Sequence, residues 1–85
     1  MLDRAETIGK ALEILGGPDA EEILRESMSD MADLIELGVL EVDVTFTRER
    51  LARALGEPKT ADDVIQQFGA RSVAQSILEA AERRS

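Results

Sequence analysis

The chain contains no cysteine, histidine, tryptophan or tyrosine, and it has only two phenylalanines and two prolines. Without cysteine no disulfide bond can form, and without cysteine and histidine the common zinc sites are excluded. The residues that most often act as general base or thiolate nucleophile are also missing. No hydrophobic run approaches the ~18 residues of a membrane span or resembles a signal peptide. We therefore expect a cytoplasmic protein that is not an enzyme, needs no cofactor and binds no membrane.

The length of 85 residues and the mass of 9.3 kDa fit one small domain over residues 1–85. Stabilities of about 0.05–0.15 kcal/mol per residue give such a domain a free energy of unfolding of about 4–13 kcal/mol. With so few aromatic residues, aliphatic side chains and the 11 alanines must fill the core, which favours closely packed helices. A chain this small often gains stability from a second copy, so we expect a homodimer.

The net charge of −8 is concentrated in one stretch of the sequence. Residues 19–43 carry nine acidic residues and one basic residue, Arg25, and so have a net charge of −8 by themselves. Residues 44–85 carry six acidic and seven basic residues, a net charge of +1. The domain therefore has an acidic half, residues 1–43, and a nearly neutral half that contains most of the arginines, residues 44–85.

The spacing of apolar residues predicts a mainly α fold with about five helices. The first helix runs from about Asp3 to Leu15, and Asp3 with Glu6 resembles a capping box. The second, from about Pro18 to Leu37, has its apolar residues on one half of the helical wheel. Its acidic residues fall on an arc of about 120° on the opposite side. We call them the acidic row: Asp19, Glu22, Glu26, Asp30, Asp33 and Glu36.

Between the helices, residues 40–46 change to a two-residue period, in which polar residues alternate with Leu40, Val42, Val44 and Phe46. This period predicts one short β-strand. A lone strand leaves its backbone polar groups unpaired, and two copies could pair along it as an antiparallel ribbon that forms the homodimer. The alternatives are an extended connector that packs its apolar side chains on the helices, or addition of the strand to a partner's sheet.

The last three helices are short. The first two have approximate bounds 47–55 and 60–68, and the third starts at about Ala70 or Ser72 and ends at Arg83. Thr47 is expected to cap the first of them, and a turn at Gly69 separates the other two. The middle helix is expected to bury three apolar side chains: Val64, Ile65 and Phe68. Arg83 and Arg84 follow at the end of the last helix, where the dipole favours positive charge.

Patterns for catalysis, metal binding and phosphate binding are weak in this sequence. The carboxylates lie on a solvent-facing helical arc and not in a cleft that would raise their pKa, so we predict no catalytic residue. No calcium-loop pattern and no Glu-x-x-His motif occurs, so we predict no metal site. The turn Gly16–Gly17–Pro18 precedes a helix, but the acidic residues that follow would repel a phosphate.

The acidic row has two interpretations. It is either a solubilising face or a surface that recognises a basic partner or imitates a nucleic-acid backbone. The helix dipole favours acids near a helix start and so explains Asp19 and Glu22. It does not explain Asp30, Asp33 and Glu36, which lie toward the C-terminal half of the predicted helix.

Two segments resemble DNA-binding motifs. Residues 40–55, a strand followed by a helix, resemble the ribbon-helix-helix family, in which outward side chains of the ribbon read bases. Here those side chains would be Glu41, Asp43 and Thr45. Two acids oppose contact with phosphates, so this family is not assigned. Residues 60–83, with a turn at Gly69, resemble a helix-turn-helix motif, although Ile65 stands where that motif usually has a small residue.

These observations predict a non-enzymatic interaction module that presents the acidic row to a basic protein surface, such as that of a nucleic-acid-binding protein. An adaptor, an assembly subunit or a small inhibitor, for example one encoded by a phage, would have these properties. The alternative is a helix-turn-helix-type transcriptional regulator that uses residues 60–83 to bind DNA. The net negative charge makes direct binding to nucleic acid the less favoured expectation.

Overall fold

A computed structural model describes residues 3–84, and the secondary structure in this range is helical. There are five α-helices and one short 3₁₀-helix, so the predicted mainly α fold is confirmed. The helices are α1 (Arg4–Leu15), α2 (Ala20–Ser27), the 3₁₀-helix (Ser29–Met31), α3 (Ala32–Glu36), α4 (Val44–Arg53) and α5 (Ala61–Arg84).

Helix α1 begins and ends as the sequence predicts. The carboxylate of Asp3 accepts a hydrogen bond of 2.8 Å from the backbone N–H of Glu6 and so caps the helix. At the other end Gly16 donates to the carbonyls of Leu12 and Glu13, and the helix stops before the Gly–Gly–Pro turn. Local sequence signals are sufficient for this helix.

The second predicted helix is broken, because α2 ends at Ser27 and does not continue to Leu37. The Ser27 hydroxyl donates to the carbonyl of Leu24 at 2.6 Å, and Met28 bonds the carbonyl of Arg25 in the tighter 3₁₀ manner. Ser27, Ser29 and Asp30 favour helix caps and turns over helix interiors because their side chains compete for backbone groups. The chain then continues as the 3₁₀-helix and the five-residue α3.

The predicted β-strand at residues 40–46 is wrong for the described chain, residues 3–84, in which no strand occurs. Instead α4 begins at Val44, capped by the Asp43 carboxylate, which accepts from the N–H of Phe46 at 2.9 Å. Thr47, the predicted cap, lies inside the helix and donates its hydroxyl to the carbonyl of Asp43. A helix satisfies its backbone groups locally, whereas a lone strand would leave them without partners. The proposed pairing of two copies through this strand therefore loses its basis.

Helix α5 is continuous from Ala61 to Arg84, so the turn predicted at Gly69 is wrong. The start is as predicted: the Thr60 hydroxyl accepts from the N–H of Asp63, and the Asp63 carboxylate accepts from the N–H of Thr60. Residues 60–83 consequently do not form two helices about a turn, and the helix-turn-helix resemblance is lost.

The core lies where α5 packs along α1 and α2, with α4 completing it. Alanine provides half of the buried hydrophobic side chains, and small side chains let helix axes approach closely. Arg4 also donates to the carbonyl of Ala54 at 3.3 Å, which joins the start of α1 to the end of α4. The buried hydrophobic residues are Ile8, Ala11, Leu15, Ala20, Ile23, Leu24, Leu51, Ala54, Ala70, Ala74, Ile77 and Ala80.

The continuity of α5 exposes side chains that were expected to be buried. At about 100° per residue, Phe68 lies about 120° and Ile65 about 180° around the helix from the buried Ala74. Val64, Ile65 and Phe68 are accordingly exposed, Phe68 to 75%. Two separate helices could have turned both apolar faces inward, but one continuous helix cannot.

Two glycine-to-alanine substitutions should change the free energy of unfolding in opposite directions. Gly69→Ala should raise the free energy of unfolding by about 0.5–1 kcal/mol, because glycine is unfavourable inside a helix. A Cβ at Gly69 would meet no atom within 4 Å. Gly38→Ala should lower it by about 1–2 kcal/mol, because Gly38 has a φ of 77°, which an L-residue adopts at a cost. Urea unfolding followed by circular dichroism measures both, and a destabilising Gly69→Ala would indicate a turn at that position.

Candidate partner-binding surface

The six carboxylates of the acidic row are all exposed, but they do not share one helix. Asp19 precedes α2, Glu22 and Glu26 lie on it, and Asp30 lies in the 3₁₀-helix. The last two members, Asp33 and Glu36, lie on α3. The break at Met28 also places Asp30 and Asp33 in the first turns of new helices, where negative charge is favourable. The dipole argument against a purely solubilising role therefore applies only to Glu36.

Two carboxylates of the acidic row, Glu22 and Glu26, bind an arginine from the other end of the described chain. The Arg84 guanidinium donates to Glu26 and Glu22, each at 2.9 Å, and so joins the end of α5 to α2. The hydrogen bond with Glu26, followed by that with Glu22, raises the pKa of Arg84 above its ordinary value. These carboxylates help to dock α5, a role that the sequence analysis missed because it assigned Arg84 only to the helix dipole.

The second half of the acidic row has no such partner. Among residues 3–84, Asp30, Asp33 and Glu36 form no ion pair. Along the sequence, no basic residue occurs between Arg25 and Arg48, and Arg25 itself pairs with Glu21 on α2 at 3.2 Å. The negative charge of this region is therefore not neutralised by the described chain.

Exposed apolar side chains lie beside these carboxylates. Met31, Leu34 and Leu37 each follow an acidic residue by one position, so an apolar row with a spacing of three runs next to Asp30, Asp33 and Glu36. The backbone of Val39 lies close to that of Leu34, because the N–H of Val39 donates to the carbonyl of Leu34 at 3.0 Å. The four apolar side chains are exposed by 43% to 76%. We call these seven residues the α3 surface: Asp30, Met31, Asp33, Leu34, Glu36, Leu37 and Val39.

The residues predicted to form a dimer strand separate in the structure. Val42 and Val44 are half-buried and pack against the core. Leu40 is half-buried and donates its N–H to the carbonyl of Leu34 at 3.2 Å, whereas Phe46 is 56% exposed. Before α4 begins, this segment resembles the extended connector that was the first alternative to an intermolecular strand.

A cleft of about 320 Å³, which was not predicted from the sequence, lies between α4 and the start of α5. Arg50, Arg53 and Lys59 line it together with Glu57 and Asp63, so its charge is mixed. On its wall the buried Gln67 amide donates to the carbonyl of Gly56, which closes the α4–α5 connection. The only sequence signal for it is the pair Arg50 and Arg53, which lie three positions apart on α4.

The described residues offer neither a metal site nor a membrane-spanning helix. Within residues 3–84, acidic side chains do not gather in any group of three or more that could hold a metal ion. In the same range, none of the helices has both the length and the apolar character needed to cross a membrane. No protein-family model, curated protein or solved structure matches this chain.

Proposed function

We propose that this protein is a non-enzymatic interaction module that binds a basic surface of a partner protein through its acidic residues 19–43. The observation that carries the proposal is the unpaired negative charge of Asp30, Asp33 and Glu36, which the described chain leaves exposed. Charge complementarity steers partners together and selects among them. An adaptor, an assembly subunit or an inhibitor of a nucleic-acid-binding protein would use such a surface.

The test compares the rate of association with a partner recovered by affinity pull-down, measured at low and at moderate ionic strength. The double variant Asp30→Asn/Asp33→Asn should associate about twofold to tenfold more slowly at low ionic strength, because steering acts mainly on the association rate. Its free energy of unfolding should change by no more than a few tenths of a kcal/mol, since both carboxylates are surface groups. Equal association rates at low ionic strength would reject the proposal.

Two further variants make this test specific to the acidic row. Asp62→Asn/Glu79→Gln removes the same charge from exposed positions of α5 and should leave the association rate nearly unchanged. Arg84→Gln frees Glu22 and Glu26 and should increase the association rate at low ionic strength. A net-charge effect alone would slow both double variants equally.

Self-association stays a prediction that no longer depends on a strand. The exposed face of α5 formed by Val64, Ile65 and Phe68 is the surface that a second copy would cover. A sedimentation mass of one chain at high micromolar concentration would contradict a homodimer.

A further inference from the structure

The α3 surface contains apolar side chains that the fold itself does not use. No residue of the 3₁₀-helix or of α3 is buried, and α3 packs mainly against the preceding 3₁₀-helix. Single exposed apolar residues are ordinary, but Met31, Leu34, Leu37 and Val39 fall within nine consecutive positions. Several exposed apolar side chains that are close in sequence and bordered by acidic residues are typical of an interaction site.

We propose that the α3 surface binds a basic amphipathic helix of a partner protein. This inference rests on the proposed function and specifies it further: it names the part of the acidic segment that makes contact and the kind of structure that it recognises. The apolar row would receive the apolar face of the partner helix, and the carboxylates would pair with its lysine or arginine side chains.

Charge complementarity identifies this occupant. Asp30, Asp33 and Glu36 run parallel to the apolar row, one position away at each step, and no basic residue lies between Arg25 and Arg48. In an amphipathic helix, apolar residues recur every three or four positions, and basic residues can flank them at the same spacing. Such a helix therefore matches both rows at once.

The same charges disfavour the other occupants of an apolar face. A second copy of this chain would bring one acidic row against another, and like charges across an interface are unfavourable. A nucleic acid would meet three carboxylates and no basic residue within the α3 surface. Glu22 and Glu26 are not part of the site, because both are paired with Arg84.

The experiment titrates the isotope-labelled protein with three synthetic helical peptides of equal length. The first has leucine on one face and lysine on the other, the second has lysine with glutamine in place of leucine, and the third has leucine with glutamate in place of lysine. The first should bind at least about tenfold more tightly than the second, because burial of even one leucine is worth more than tenfold in affinity. The third should not bind. Amide chemical shifts should change at residues 30–39 and not at Glu22 and Glu26.

Matched variants locate the contact. Leu34→Gln and Leu37→Gln should each weaken binding of the leucine–lysine peptide by about tenfold. Leu55→Gln is the control, because Leu55 is 43% exposed, as is Leu34, but lies outside the α3 surface. Leu37 is 76% exposed, so its replacement leaves the fold intact, as the unchanged amide spectrum of the free variant would verify.

The outcomes separate this inference from the proposed function. If the two lysine peptides bind equally well, or if the shifts map to residues 19–26, the apolar contact is wrong although recognition of basic surfaces stands. If neither lysine peptide binds, the inference is overturned, and the proposed function is then judged by the pull-down partner alone. Equal losses for Leu37→Gln and Leu55→Gln would also overturn it.

Discussion

Replacing Ile77 with alanine should lower the free energy of unfolding by about 2–5 kcal/mol. Ile77 lies on α5 with no exposed surface, and α5 packs against α1 and α2. The substitution removes buried methyl and methylene groups and leaves a cavity that the surrounding helices fill only in part. Since a domain of this length has about 4–13 kcal/mol in total, the variant should lose a large share of its stability.

The control for this prediction lies on the same helix. Ile65→Ala makes the same chemical change at a side chain that is 68% exposed, and the gain in helix propensity is the same at both positions. Its free energy of unfolding should stay within a few tenths of a kcal/mol of the unsubstituted chain or rise slightly. Urea denaturation of both variants measures the difference. Equal effects would mean that α5 is rotated relative to the core described above.

Replacing Ala74 with leucine should lower the free energy of unfolding by about 1–3 kcal/mol. Here the cause is overpacking of the core, whereas Ile77→Ala leaves a cavity. Ala74 is fully buried on α5, where a larger side chain must push the neighbouring helices apart or adopt a strained rotamer. Ala61→Leu, at the exposed start of α5, adds the same atoms without that constraint and should be nearly neutral. A stabilising Ala74→Leu, measured by the same urea unfolding, would show that the core is not closely packed at Ala74.

The sequence predicts the ends of a helix correctly where capping residues within the same short segment determine them. Asp3 marks the start of α1, and Thr60 with Asp63 marks the start of α5, because capping hydrogen bonds join residues three apart. The predicted end at about Leu37 also agrees with the end of α3, and Gly38 follows it with a φ of 77°, which glycine adopts readily.

The error at residues 40–46 has a specific cause. From Leu40 to Phe46 apolar and polar residues alternate, but Val44 and Leu51 also fit the helical spacing of α4 and face the core. Seven residues cannot distinguish the two periods when both fit. The residue that favours the helix is Asp43. Its carboxylate caps α4, so the helix begins at Val44, three residues before the predicted Thr47.

The candidate site was only partly predictable from the sequence. Some carboxylates of the acidic row are paired and others are not, and the pairing depends on contacts between residues far apart in the sequence. The composition indicates an acidic region, but Arg84 lies 58 and 62 positions from the carboxylates of Glu26 and Glu22 that it binds. No periodicity relates residues so far apart. The exposure of Leu34 and Leu37 could not be predicted either. It results from the break after Ser27, because these residues no longer lie on the face of α2 that packs on the core.

The most extensive helix contact joins α1 and α5, the first and last helices, and this constrains when the domain can form. Residues 16–60 must form a loop before that contact is made. Closing a long loop costs conformational entropy, and the stabilising contact forms only after that cost. During synthesis Ile8, Ala11 and Leu15 gain their main packing partner only when α5 has left the ribosome, because α2 and α4 contact α1 less extensively. Cooperative folding of the described chain is therefore expected only once α5, the last of its helices, has been synthesised.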